Sequence, residues 1–315
     1  MRKTLNYKRK RSNLGGSPCA AEEYGYRAAQ RHEDQRRAQH GAVHRAPDAG
    51  KQMTTRGNAQ APLLVVEDAS VRFGGVVALD RVSFDVPSGI VCGLIGPNGA
   101  GKTTLFNCLS RLYELDSGRI RFDGAELGAL PRHRIATLGI GRTFQNLALF
   151  GTMSVLDNVL VGTHSRTGTG FLANSLRLPR VDAEERDARR RAIERIELLG
   201  LEAVIDTRVA ELPFGTCKRV ELARALAAEP RLLLLDEPAS GLNHEEVQAL
   251  AGSIRGLRDE LGLTILLVEH HIDLVMNVSD KVVALNFGRK IAEGDPVHVR
   301  THPEVVEAYL GTETS

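Results

Sequence analysis

At 315 residues and 42% hydrophobic, the chain can form one large packed core or two small ones, and a net charge of only +2 says little about partners. No apolar run approaches the roughly 20 residues that cross a bilayer, and the opening MRKTLNYKRKRSN has no apolar stretch behind its charges, so neither a membrane span nor a secretory signal is expected. Four dispersed cysteines (Cys19, Cys92, Cys108 and Cys217) form neither a disulfide framework nor a spaced metal site and fit a reducing, cytosolic setting.

Residues 1–60 carry 13 Lys/Arg against 5 Asp/Glu, and the rest carries 28 against 34. This stretch is rich in Arg, Gln, His, Gly and Ala and cannot bury enough apolar surface to offset its ordering entropy. It reads as a disordered basic N-terminal extension. A solvated tail, or a chain that starts at Met53, is the plainer account of it; a tether for nucleic acid or anionic lipid is the alternative.

Order is expected from Leu63. LLVVEDASVRF and LDRVSFDV (79–86) alternate enough to be strands of a partly exposed sheet, and Pro87-Ser88-Gly89 is a turn. IVCGLI (90–95) is almost wholly apolar, as a strand buried on both faces must be. A helix follows over Lys102–Leu109, with Cys92 and Cys108 as small core residues, and SGRIRFDG (117–124) holds another short strand. Asp182 and Glu185 have the spacing of a capping box, Ile193, Ile196 and Leu199 share a helical face, and Gly200 is placed to end that helix. KRVELARALAAE (218–229) is a helix stopped by Pro230; LLLLDEP (232–238) is a buried strand, HEEVQALAGSIRGLRDEL a helix, TILLVEH (264–270) a further strand, and VVALNFGRKIAEG a terminal hairpin. On a strand, adjacent His270 and His271 would point to opposite faces, which argues against a shared metal. Strands alternating with helices predict an α/β fold with a mainly parallel core sheet.

Residues 96–104 read GPNGAGKTT, a G-x-x-x-x-G-K-T loop between a buried strand and a helix. Its glycines let the backbone turn against a phosphate, and its N–H groups and the helix start supply fixed positive partial charge. The whole loop, Gly96-Pro97-Asn98-Gly99-Ala100-Gly101-Lys102-Thr103-Thr104, is therefore the candidate triphosphate cradle. Lys102 reaches the β- and γ-phosphates and the Thr103 hydroxyl meets Mg²⁺. LLLLDEP delivers Asp236 to the carboxyl end of its strand, where it can hold the Mg²⁺ shell, and Glu237 beside it can polarise the attacking water.

These residues resemble the ABC-transporter ATPases over about 62–311. GPNGAGKTT is similar to their Walker A motif and LLLLDEP to their Walker B. Gln145 in GRTFQN falls at the Q-loop, LPFGTCKRVELARAL (212–226) at the signature, SGLN (240–243) at the D-loop, and His270 at the switch histidine. Phe73 in VRFGG matches the aromatic that stacks on adenine. The resemblance implies a P-loop NTPase of ABC type, with an antiparallel β subdomain and a helical subdomain at about 146–229 inside a 61–312 nucleotide-binding domain. It implies ATP with Mg²⁺ held by Thr103, Gln145 and Asp236, catalysis by Glu237, His270, Gln145 and Lys102, and a signature site at Phe214, Gly215 and Thr216.

The signature reads LPFGT where the family has LSGGQ, and Asn243 stands for the D-loop aspartate. Hydrolysis rate and symmetry of two ATP sites therefore stay open. The LP-aromatic-G signature, RTFQNLALF, VEHHIDLVM and the ending AYLG resemble the G-type ATP-binding subunits of Liv-type branched-chain amino acid importers. That implies a second ABC ATPase subunit, transmembrane permease subunits and an extracytoplasmic binding protein, with the chain at the cytoplasmic face of the bacterial inner membrane. A soluble ABC ATPase acting on nucleic acid or in translation is the rival, although one phosphate loop and no long coiled-coil insertion argue against nucleic acid as a partner. A weakly hydrolysing regulatory module is the other.

Overall fold

The computed structural model describes residues 62–143, 147–164 and 179–310, all within one compact unit, Asn58–Ser315. The basic extension, Cys19 and Gln145 lie outside the described residues.

The chain opens with strands β1 (Leu64–Phe73), β2 (Val76–Val86) and β3 (Val91–Ile95), then helix α1 (Lys102–Leu109). Strands β4 (Ser117–Phe122) and β5 (Ala125–Glu126), the single turn α2 (Arg134–Thr137) and strand β6 (Ile140–Arg142) follow. Helices α3 (Val155–Thr163), α4 (Pro179–Leu198) and α5 (Phe214–Ala227) lead to β7 (Leu232–Asp236). The rest is α6 (His244–Leu261), β8 (Thr264–Val268), α7 (Ile272–Val278), the hairpin β9 (Lys281–Asn286) and β10 (Arg289–Gly294), and the short helices α8 (Pro296–Thr301) and α9 (Pro303–Leu310).

Two sheets form. An antiparallel one has the order β2-β1-β4-β5, and the central one has the order β10-β9-β3-β8-β7-β6. In the central sheet only the β9/β10 pair is antiparallel; β9, β3, β8, β7 and β6 run parallel. The apolar runs explain why. Every residue of β3, β7 and β8 is buried, so these strands need cover on both faces, and parallel crossovers supply it. Side chains alternate between two cores. Leu232 and Leu234 join α1 and the antiparallel sheet on one face, whereas Leu233 and Leu235 pack with α3, α5, α6 and α7 on the other. Each fully buried leucine contributes about 1.5–3 kcal/mol.

The expected strands and helices form, with three differences. Helix α4 is described from Pro179, with Asp182 in its first turn instead of at its cap. Helix α5 begins at Phe214, four residues before the apolar periodicity suggested. And β8 ends at Val268, so His270 and His271 are not on a strand. Gly200 does end α4: at φ 62° it lets its N–H reach the Glu197 carbonyl and that of Leu201 the Ile196 carbonyl. Cys92 and Cys108 are free and buried, and burial pushes both thiols up to about 12. Cys217 is buried as well.

Candidate functional site at the carboxyl edge of the parallel sheet

Because β3, β7 and β8 are parallel, their carboxyl ends open on the same edge. The register sets Leu94, Val268 and Asp236 level across the three strands. Three loops therefore leave side by side: the phosphate loop from β3, Asp236-Glu237 from β7, and Glu269-His270 from β8. Residues separated by more than a hundred positions are brought together by strand order alone.

The phosphate loop is closely fitted. Gly96 has φ 150° and a Cβ there would lie 2.2 Å from the Leu285 carbonyl oxygen; at Gly101, φ 100°, a Cβ would lie 2.5 Å from that of Ala78. Only glycine meets both conditions. Gly101 is also the N-cap of α1 and provides no side-chain cap, and the first turn holds no acid, so backbone N–H groups rather than carboxylates face outward. Ala100 is buried, Pro97 and Thr104 are half-buried, and Asn98, Gly99 and Thr103 are exposed. The Lys102 ammonium folds back on the loop and donates to the carbonyls of Gly96 at 2.5 Å and Pro97 at 3.0 Å. Burial lowers its pKa, while Glu237 and Asp236 pull it back up. The Gly96 N–H itself donates to the Tyr309 hydroxyl of α9 at 2.7 Å. The AYLG ending carries a family likeness in sequence but no local signal of this contact.

Asp236, 3% exposed, ends β7. One of its carboxylate oxygens accepts from Arg142 at 2.8 Å, and its N–H lies 3.4 Å from the Thr143 hydroxyl. Asp236 and Thr103 supply hard oxygen donors, which suit Mg²⁺ rather than a soft metal. Glu237 has φ 46°, in the left-handed region that L-residues occupy at a cost, and its N–H donates to the Val268 carbonyl at 2.9 Å. Strain of this kind collects at reacting centres. His270 Nδ1 lies 4.0 Å from a Glu237 oxygen and 3.8 Å from a Glu269 oxygen, so the histidine sits between two carboxylates.

The expectation that His270 and His271 point to opposite faces fails. The strand has ended, and the two rings stand 4.5 Å apart, tilted by 35°. With Glu269 they bring ligand atoms within 4.8 Å of one another. Glu269 is fully buried, and its carboxylate accepts from the N–H groups of Ala239 at 2.6 Å and His270 at 3.2 Å, which ties the β7 and β8 loops together. Burial without such partners would be costly, so the arrangement explains this acid structurally.

Two further groups of predicted residues lie elsewhere on the surface. Phe73, 48% exposed at the end of β1, packs edge-to-face on Tyr113 with centroids 5.1 Å apart. Helix α5 starts after Pro213, which has no side-chain cap, with no acid in the first turn. Phe214 there is 48% exposed. A Cβ on Gly241 would meet its ring at 2.8 Å, and one on Gly215 would meet Glu246 at 2.3 Å. The departure from the family signature is thus accommodated by a glycine opposite it. Asn243 caps α6 in a reciprocal capping box with Glu246. Helix capping needs a short polar acceptor, which Asn supplies as well as Asp.

Comparison with known proteins converges on one group. The family described as ABC transporter matches residues 79–240, and a branched-chain amino acid ATP-binding cassette transporter family matches 289–314. The chain is 43% identical over 250 residues to the high-affinity branched-chain amino acid transport ATP-binding protein BraF of Pseudomonas aeruginosa, covering 79% of this chain and 98% of that protein. It is 40% identical to LivG of Escherichia coli over the same shares. Among solved structures, the ADP conformation of MJ1267, an ATP-binding cassette of an ABC transporter, is similar at TM-score 0.70 and 32% identity, covering 80% of this chain and all of that one.

Proposed function

The chain belongs to the ABC transporter family as an ATP-binding, ATP-hydrolysing subunit, and from that premise we propose that it energises import of branched-chain or related amino acids. The observation that carries the site reading is the shared carboxyl edge, where β3, β7 and β8 deliver the phosphate loop, Asp236-Glu237 and His270 side by side.

ATP lies with its phosphates on the loop amides and the start of α1, and Lys102 turns from its own loop carbonyls toward the β- and γ-phosphates. Asp236 and Thr103, with Gln145, would hold Mg²⁺, which would supply charge neutralisation at the phosphates. Glu237 takes the proton of the attacking water, and His270, beside it, stabilises charge on the γ-phosphate. Phe73 stacks on adenine with its exposed face.

The uncapped α5 start, with Phe214, Gly215 and Thr216, serves the ATP of a second ATPase subunit, so nucleotide joins two chains and hydrolysis parts them. Permease subunits ride on that cycle, and the chain works at the cytoplasmic face of the bacterial inner membrane. Among the described residues no helix is long and apolar enough to cross a membrane, so coupling must run through such partners. Binding energy that differs between the paired and parted states is the source of work.

The test is purification of the tagged chain from detergent-solubilised membranes, with co-purifying proteins identified by mass spectrometry. Two polytopic permeases and a second ATPase are expected. Recovery of soluble proteins or nucleic acid alone would sink the importer reading.

A further inference from the structure

Arg142 is the least expected neighbour of the site. It ends the edge strand β6, yet its side chain is 10% exposed. One guanidinium nitrogen donates to Asp236 Oδ2 at 2.8 Å. The other donates to Ser110 Oγ at 2.9 Å and Asn107 Oδ1 at 3.0 Å, with the Phe106 carbonyl at 3.4 Å, and the fork lies 5.7 Å from the Phe106 ring centroid. Asn107 follows Thr103 by four on α1, and Ser110, the C-cap of that helix, follows Asn107 by three, so the three residues lie along one stripe. Arg142 thus grips the stripe that carries Thr103 with one nitrogen and the Asp236 carboxylate with the other.

We propose that Arg142 is a positioning residue for the divalent cation: it fixes the Asp236 carboxylate against α1 so that the oxygens of Asp236 and Thr103 are held at one separation. This rests on the reading above that those two residues hold Mg²⁺. A planar guanidinium can bridge two elements in fixed geometry, whereas an ammonium acts as a point charge. It meets one carboxylate oxygen of Asp236, so the acid keeps an oxygen for the ion. Residues that orient metal ligands in this way typically set affinity by about 10–100-fold. Lys keeps the charge and loses the fork, so a role limited to neutralising a buried acid would leave cation affinity unchanged in Arg142→Lys.

The test uses the full chain carrying Glu237→Gln, so that ATP persists, with Mn²⁺ as the probe, read by electron paramagnetic resonance in the presence of ATP. Arg142→Lys is expected to raise the Mn²⁺ concentration for half-saturation about 10-fold. Ser110→Ala, which removes one α1 anchor and keeps the ion pair, is expected to raise it by a smaller factor. ATP binding in EDTA should stay unchanged in both. Unchanged or tighter Mn²⁺ binding would overturn the proposal, even if melting temperatures fall. If Arg142→Lys fails to fold, Ser110→Ala decides alone. Asp236→Asn separates the two claims: if it leaves Mn²⁺ affinity intact, the cation site itself has been misassigned.

Discussion

The carboxyl edge of the parallel sheet and the start of α5 are both proposed to meet phosphate, but they are built differently. At the sheet edge burial is mixed: Lys102 is 6% exposed and Asp236 3%, whereas Thr103 is exposed and the His270 side chain is 46% exposed. At α5 the first residue, Phe214, is 48% exposed and the helix has neither a cap nor an acid. The α5 start has no side-chain cap, and Glu246 of α6 stands against its Gly215. Under the proposed function the sheet edge is the half-site the chain keeps and the α5 start the half-site it lends.

That contrast can be broken by experiment. The largest effect is expected at the sheet edge: Glu237→Gln should reduce ATP turnover by about a hundred- to ten-thousand-fold while ATP still binds, as phosphate release and equilibrium binding would register. Weakened binding with turnover retained would move the general base elsewhere. Next comes the packing that holds α5 in place. Ile196, fully buried on the inner face of α4, should cost about 2–5 kcal/mol of unfolding free energy on change to Ala, measured by urea denaturation. Loss of the Asn243 cap in Asn243→Ala should cost about 0.5–2 kcal/mol in the same assay. The smallest effect on stability is the most telling. Thr216→Glu puts a negative charge in the first turn of α5 and should raise helix stability by about 0.3–1 kcal/mol. It should at the same time depress ATPase activity of the assembled complex, because the new carboxylate competes for the amides offered to phosphate. Activity that rises together with stability would show that this helix start meets no anion.

Much of this was legible locally. The phosphate loop, LLLLDEP and the helix after Asn243 are signals complete within a few residues, and each forms where it was expected. The α5 start at Phe214 escapes the apolar run from Lys218, since apolar periodicity marks the buried face of a helix and not its first turn. The histidine pair was misjudged for a similar reason: TILLVEH keeps its β character in sequence, but pairing stops at Val268, and beyond it the rings are free to turn to one side.

The sequence by itself determined which loop turns tightly enough for phosphate, which strands are apolar enough to need two covered faces, and where the adjacent acids fall. Only the tertiary structure decided what stands beside them. Arg142 meets Asp236 across 94 residues, and Tyr309 meets Gly96 across 213. Such partners follow from strand order and from which helix closes over which edge. Local spacing carries no record of that order, because hydrophobic period specifies that a face is buried and leaves open what buries it.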